Sequence, residues 1–228
     1  MDDVRKNSVP SSNQTVESVI CNNAADGNVR ILFIGNSITY HTRKDDLGWY
    51  NSCGMAASCP EKDYVHRLID MLYEKGIKAE KCVVNVADWE RNYKEGNTVL
   101  ESGVYKNAVD FNADIIILRF LENCSPDNWD GAVFKNQVLS LMNYFNASKK
   151  AKFVLSTSFW RHIGSEVMKE IADEYDLPCI QLSDLGDRDE MKAIGKFKHE
   201  GVAMHPGDWG MQAIAERLLP AILNEIRR

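Results

Sequence analysis

The sequence predicts an α/β domain in which a parallel sheet is sandwiched between helices. Two observations carry this. Short, unbroken apolar runs rich in β-branched residues recur along the chain, as strands buried on both faces require. Between them lie stretches whose apolar residues repeat at helical spacing, and this strand–helix alternation is the signature of parallel pairing.

Residues 1–28 are polar, rich in Ser, Asn, Asp and Val, and read as a disordered or loosely packed N-terminal extension. The folded domain is expected over 29–228. It opens with VRILFIG (Val29–Gly35), the first buried strand. Ser58-Cys59-Pro60-Glu61 has capping-box spacing and predicts a helix running through Tyr64, Val65, Leu68, Ile69, Leu72 and Tyr73 to a stop at Gly76. KCVVNV (Lys81–Val86) is the second strand and ADIIILRF (Ala113–Phe120) the third. A helix follows over Ala132–Ser148, then a strand over Ala151–Ser158 and a helix over Ser165–Tyr175. LPCIQL (Leu177–Leu182) is a short fifth strand. The last helix starts near Asp208, a candidate N-cap, and runs through Met211, Ile214, Leu218, Ile222 and Ile226.

Composition narrows the function. The 228 residues carry a formal net charge of −6 and no long Lys/Arg run, so neither nucleic acid nor an anionic membrane surface is an expected partner. No run reaches the ~18 apolar residues of a membrane span. The N-terminus lacks the basic-then-apolar order of a secretion signal, so a cytoplasmic location is expected, or a secreted one if a leader has been removed. The six cysteines show no CxxC or Cys/His metal spacing. Reduced thiols are expected, with Cys53–Cys59 as the pair best placed to bridge. None of the five histidines pairs at i,i+4, so no metal site is expected. GxGxxG after the first strand and GxxxxGK[ST] are both absent, so neither of these two nucleotide-binding motifs is expected to operate.

In doubly wound folds, ligands bind beyond the carboxyl ends of the strands. Three residues there carry chemistry. Ser37, in Gly35-Asn36-Ser37-Ile38-Thr39, sits on a sharp turn after the first strand, where a hydroxyl can act as nucleophile or the turn can be merely structural. His205, in His205-Pro206-Gly207-Asp208, is held in a loop before the last helix and can serve as a base. Asn123 follows the third strand, where its amide can donate to an oxyanion or complete a turn.

Taken in order, ILFIGNSIT, IIILRFLEN and HPGDWGMQAIAERL resemble the first, third and fifth conserved blocks of the SGNH (GDSL-like) hydrolases. The resemblance spans Val29–Arg228. It implies a three-layer α/β/α sandwich, flavodoxin-like, with a five-stranded parallel sheet. It also implies ester hydrolysis through an acyl-enzyme without metal or cofactor, with Ser37 as nucleophile and His205 as base. The oxyanion donors it implies are the Ser37 N–H, the Asn123 side chain and a second-block backbone N–H, for which Glu90 is the candidate. Four positions depart from the family. Asn36 stands for its usual Asp, Leu121 for the Gly before Asn123, and Glu90 for the second-block Gly. Val202 occupies the place of the acid three residues before the His. A Ser–His dyad or an acid from elsewhere, such as Glu200 or Asp208, must then serve.

Asn36, Trp89, Arg119 and Trp160 are candidate substrate-binding residues, with Trp49 a further aromatic near the same face and Glu122 a partner for Arg119. Asp45–Ser58 is a candidate wall or lid. The expected substrate is a short-acyl ester, acetyl among them, on a small molecule or a saccharide. The alternative is a catalytically weak or inactive glycan-binding domain of the same fold.

Overall fold

The computed structural model describes residues 19–22, 29–95 and 98–228. In chain order its regular elements are β1 (Val19–Asn22), β2 (Val29–Gly35), α1 (Tyr64–Glu74), β3 (Ala79–Asn85), α2 (Ala87–Arg91), α3 (Thr98–Glu101) and α4 (Lys106–Asp110). There follow β4 (Ile115–Arg119), α5 (Gly131–Phe145), β5 (Lys152–Ser156), α6 (Gly164–Glu174), β6 (Cys179–Ile180), α7 (Glu200–Ala203) and α8 (Asp208–Arg227).

The five expected parallel strands form one sheet in the order β3-β2-β4-β5-β6, the flavodoxin-like doubly wound order. Alternation along each strand builds three layers. Ile31, Phe33, Ile115 and Ile117 face a core shared with Leu68 of α1 and Leu218 of α8. Leu32, Ile34, Ile116 and Leu118 face the opposite core, with Phe134 and Val138 of α5 and Ile171 of α6. Every strand in the middle of the sheet is thus apolar on both faces, which is why the runs lack polar alternation.

A sixth strand joins the parallel five. Within the expected extension over 1–28, Val19–Asn22 pairs antiparallel with β3 as β1, with Cys21 opposite Cys82 in the register. Residues 1–18 and 23–28, the rest of that extension, lie outside the described residues. Cys82 is disulfide-bonded, so the expectation of reduced thiols fails there. Cys53 and Cys59 are both free, and the bridge expected between them does not form.

Two helix starts differ from expectation. Pro60–Lys62 makes a separate 3₁₀ turn, and α1 begins after it, capped by Asp63, whose carboxylate accepts from the His66 N–H. Ser58 instead donates its N–H and hydroxyl to the Asp208 carboxylate, at 2.9 and 2.7 Å. Asp208 is therefore the first helical residue of α8, with Gly207 as N-cap. Gly76, in the left-handed region at φ 78°, does end the α1 segment as expected.

The strand β2 ends on a glycine for a steric reason. A Cβ at Gly35 would overlap Thr39 Oγ1 and lie 2.7 Å from the Arg119 carbonyl oxygen of the neighbouring strand. Gly35→Ala should destabilise the fold by at least about 2 kcal/mol through overpacking. Urea unfolding would read this as a lower midpoint at unchanged slope; an unmoved midpoint would mean the turn can yield.

Candidate active site

The site forms at the point where the sheet changes direction, between the carboxyl ends of β2 and β4. The chain leaves β2 in a tight turn, with the Thr39 and Tyr40 N–H groups both donating to the Asn36 carbonyl at 2.9 Å. Every residue from Ile31 to Tyr40 is buried except Ser37. The turn thus lifts one hydroxyl out of an otherwise closed segment. The Ser37 carbonyl accepts from the Met55 N–H at 2.8 Å, while the Ser37 N–H has no partner among the described residues.

His205 meets that hydroxyl. Its Nε2 lies 2.8 Å from Ser37 Oγ, across 168 residues of sequence. Its Nδ1 lies 2.6 Å from the Gly201 carbonyl oxygen, which can only accept. That contact places the proton on Nδ1 and leaves the Nε2 lone pair facing Ser37. The Gly201 carbonyl comes from the short helix α7, so backbone stands where a third acid would. Val202 is buried, and its carbonyl accepts from the His205 N–H instead. Asp208 is committed to Ser58 and makes no bond to His205. Burial lowers the His205 pKa to about 4, against the raising effect of the Gly201 carbonyl, so the ring is neutral at pH 7. Trp160, half-buried, packs edge-to-face on the imidazole with centroids 5.5 Å apart.

Behind Ser37 lies a buried polar cluster that includes the expected pairing of Arg119 with Glu122 and extends it to Asn36 and Glu90. Arg119 donates to Glu122 Oε1 at 2.8 Å and to Asn36 Oδ1 at 2.7 Å. The Asn36 amide nitrogen donates in turn to Glu122 Oε2 at 2.6 Å and Glu90 Oε1 at 3.1 Å. Glu90 also accepts from the N–H groups of Leu121 and Asn123 and from the Asn123 side-chain amide. Arg91 donates to the Asn123 side-chain oxygen, Oδ1, at 2.9 Å. The two glutamates titrate apart. Burial and the Glu122 charge raise Glu90. Burial also pushes Glu122 upward, but Arg119, the Phe159 N–H and Asn36 outweigh it and hold that carboxyl below its usual range.

These contacts revise several expectations. Trp89 is fully buried against Phe120 and Phe134 and offers no face to substrate. Trp49 is buried likewise. Asn36 and Arg119 are fully buried and spend their polar groups on the cluster rather than on substrate. The Glu90 N–H donates to the Val86 carbonyl within α2, so it is not available to an oxyanion. Of the four candidate substrate residues, Trp160 alone stays at the site. The segment Asp45–Ser58 is a wall rather than a lid, with Trp49, Cys53, Met55, Ala56 and Ala57 all buried.

The family's Asp is excluded at position 36 by the same geometry. Asn36 must donate to two carboxylates and accept from Arg119 and the Ile38 N–H. Only an amide does both. The departure from the resembling family at this position, with the expected pairing of Arg119 and Glu122, was the sequence signal for the glutamates beside it.

No family model matches the chain, and no curated protein matches it. Solved structures share its fold. A family 3 carbohydrate esterase from Clostridium thermocellum superposes with a TM-score of 0.59 at 11% identity, over 87% of this chain and 97% of that one. The psychrotrophic esterase EstA from Pseudoalteromonas gives 0.57 at 10% identity, over 88% and 100%. An acetylxylan esterase from Geobacillus stearothermophilus gives 0.50 at 16%, over 88% and 94%. The likeness is one of fold, the fold of SGNH and GDSL-like esterases.

Asn36→Asp, although it recreates the family's usual residue, should be damaging. It removes two donated bonds and adds a third carboxylate to a buried pair. The expected cost is about 3 kcal/mol or more in chemical denaturation. A variant as stable as the parent would refute this account of the cluster.

Proposed function

We propose that the protein is a serine esterase that removes short acyl groups, acetyl foremost, from saccharides or other small alcohols. The observation that carries this reading is the 2.8 Å approach of Ser37 Oγ to His205 Nε2 at the mouth of the sheet. The fold likeness to two esterases described as acting on carbohydrate or xylan esters supports the substrate class. So does Trp160, half-buried beside the base, because an aromatic ring there suits a sugar ring.

The chemistry follows from the geometry. The Ser37 O–H bond breaks, its proton passes to His205 Nε2, and Oγ bonds to the ester carbonyl carbon. The carbonyl oxygen becomes an oxyanion facing the Ser37 N–H and the Asn123 amide. The carbon–oxygen bond to the alcohol then breaks, and the alcohol leaves with the proton from Nε2. Water, deprotonated by the same nitrogen, attacks the acyl-enzyme; the bond from the acyl carbon to Ser37 Oγ breaks, Oγ takes the proton back from Nε2, and the acid is released. The imidazolium formed on the way is stabilised by the Gly201 carbonyl dipole, less strongly than by a carboxylate.

Turnover of aryl and sugar acetates tests the reading. Ser37→Ala and His205→Ala should each lower kcat on the order of 10³-fold or more. Glu200→Gln and Asp208→Asn should each lower it less than about tenfold, or ~1.4 kcal/mol; a loss near 10⁴-fold from either would reveal an acid acting on His205. A phosphonate reagent should label the Ser37 peptide. No label and no turnover would favour the glycan-binding alternative.

The pH profile is a separate check. The base must be neutral, and burial depresses His205 to about 4. The acid limb of kcat/KM should therefore fall well below the ordinary imidazole value of about 6.5, with activity near its plateau at pH 5.5. The same shift makes the folded protein resist protonation that the unfolded chain accepts, so the stability from neutral His205 is full above pH 6.5 and is lost as pH falls toward 4. An acid limb at 6.5 or above would contradict the burial of the base.

A further inference from the structure

Glu90 presents a fully buried carboxylate that the reaction itself does not use. Both oxygens accept. Oε1 takes the Leu121 N–H at 2.6 Å, the Asn36 amide at 3.1 Å and the Asn123 N–H at 3.3 Å. Oε2 takes the Asn123 side-chain amide at 2.8 Å. These donors come from two loops that face each other across the switch in the sheet. Asn36 directly precedes the nucleophile, while Leu121 and Asn123 follow β4.

The β4 loop needs such an anchor. Leu121 has φ 119°, a conformation that suits glycine and strains a residue with a Cβ. The bond from its N–H to Glu90 is the shortest of the four. Asn123 is fixed from both sides, its amide nitrogen on Glu90 and its side-chain oxygen on Arg91 at 2.9 Å. Both contacts select one orientation of the side chain. One amide hydrogen is spent on Glu90, and the other remains for a ligand.

We infer that Glu90 is a positioning residue: it aims the Asn123 amide at the acyl oxyanion by tying that side chain to the residue before the nucleophile. The inference rests on the esterase reading above. It also accounts for a glutamate where the resembling family keeps glycine. A carboxylate is required because four donors converge on two acceptor oxygens. Glutamine supplies one. Set with its oxygen toward Leu121 and Asn36, it turns its own NH₂ against that of Asn123.

The test is a double-mutant cycle with Glu90→Gln and Asn123→Ala, read as kcat and KM on an aryl acetate and as thermal unfolding. Asn123→Ala should lower kcat on the order of 10²-fold or more, as loss of an oxyanion donor does elsewhere. Glu90→Gln should lower kcat by a similar factor with KM within about threefold and the folded fraction unchanged at assay temperature. The double variant should lose no more than Asn123→Ala alone, because Glu90 acts through Asn123. The inference is overturned if Glu90→Gln keeps kcat near the parent value, if the two losses multiply, or if the loss only tracks unfolding. Where Glu90→Gln does not fold, Asn123→Ala decides alone, and a retained kcat overturns the inference. Ser37→Ala separates the two levels. Turnover that survives it defeats the esterase reading and this inference together. Turnover that it abolishes, with Asn123→Ala fully active, defeats only the positioning role.

Discussion

The organisation of the site depends on one buried ionic arrangement: Arg119 and Glu122 paired at 2.8 Å, with the Asn36 amide wedged between Glu122 and Glu90. Taking three charges out of water is expensive, and the interior repays it only when every remaining polar group finds a partner. Here nearly all of them do, and the partners are the backbone and side chains that set the nucleophile. Asn36 fixes the first turn after β2. Leu121 and Asn123 fix the loop after β4. The Phe159 N–H, donating to Glu122 at 2.7 Å, fixes the loop after β5 that carries Trp160. Three strand ends are held by two carboxylates. Removing one charge from such a set leaves its partners buried and uncompensated, which is why it specifies geometry more than it adds stability.

A second set of contacts brings His205 to Ser37. The stretch from Cys53 to Ala57 is buried, and with Ser58 it touches three elements. Met55 N–H donates to the Ser37 carbonyl, Gly54 N–H to the Asp63 carboxylate that caps α1, and Ser58 to Asp208 at the head of α8. Ala56 accepts φ 74° to make these bonds together, a conformation that costs a residue with a Cβ on the order of 1 kcal/mol. His205 is placed by the start of α8, so the Ser58–Asp208 contact ties its position to that of Ser37. The role in the sequence that suggested a helix cap for each of these two residues is therefore taken by a tertiary bond.

The fold was legible because its signal is local. Unbroken runs such as Val29–Gly35 and Ile115–Leu118 can only be strands buried on both faces, and the parallel sheet follows from the helices between them. Ser37 and His205 were legible for a related reason, since each sits at an abrupt change from an apolar element to a turn. What stayed hidden depends on distant pairing. Val19–Asn22 is too short and too polar at its edges to declare itself a strand, and only the register with β3 explains it. The tryptophans misled because aromatic residues near an active face are as useful beneath its loops as on its surface. The pairing of Arg119 with Glu122, three residues on, was legible; the bonds from Arg119 to Asn36 and from Asn123 to Glu90, each spanning more than thirty residues, were not.

The Val202 position shows how the two halves of the site constrain each other. A carboxylate beside His205 would place a further desolvated ion in a region where burial already disfavours charge and where the Glu122 carboxylate already acts on the ring. The chain instead presents the Gly201 carbonyl, which fixes the ring tautomer without a further desolvated ion. On the proposed esterase reading, a base held by a carbonyl is stabilised less than in a triad, so more of the barrier would have to be lowered on the oxyanion. That demand would fall on the Ser37 N–H and Asn123, and the Glu90 carboxylate holds the loop that carries Asn123. The two halves of the site are joined through Asn36, which precedes Ser37 and bonds to Glu90.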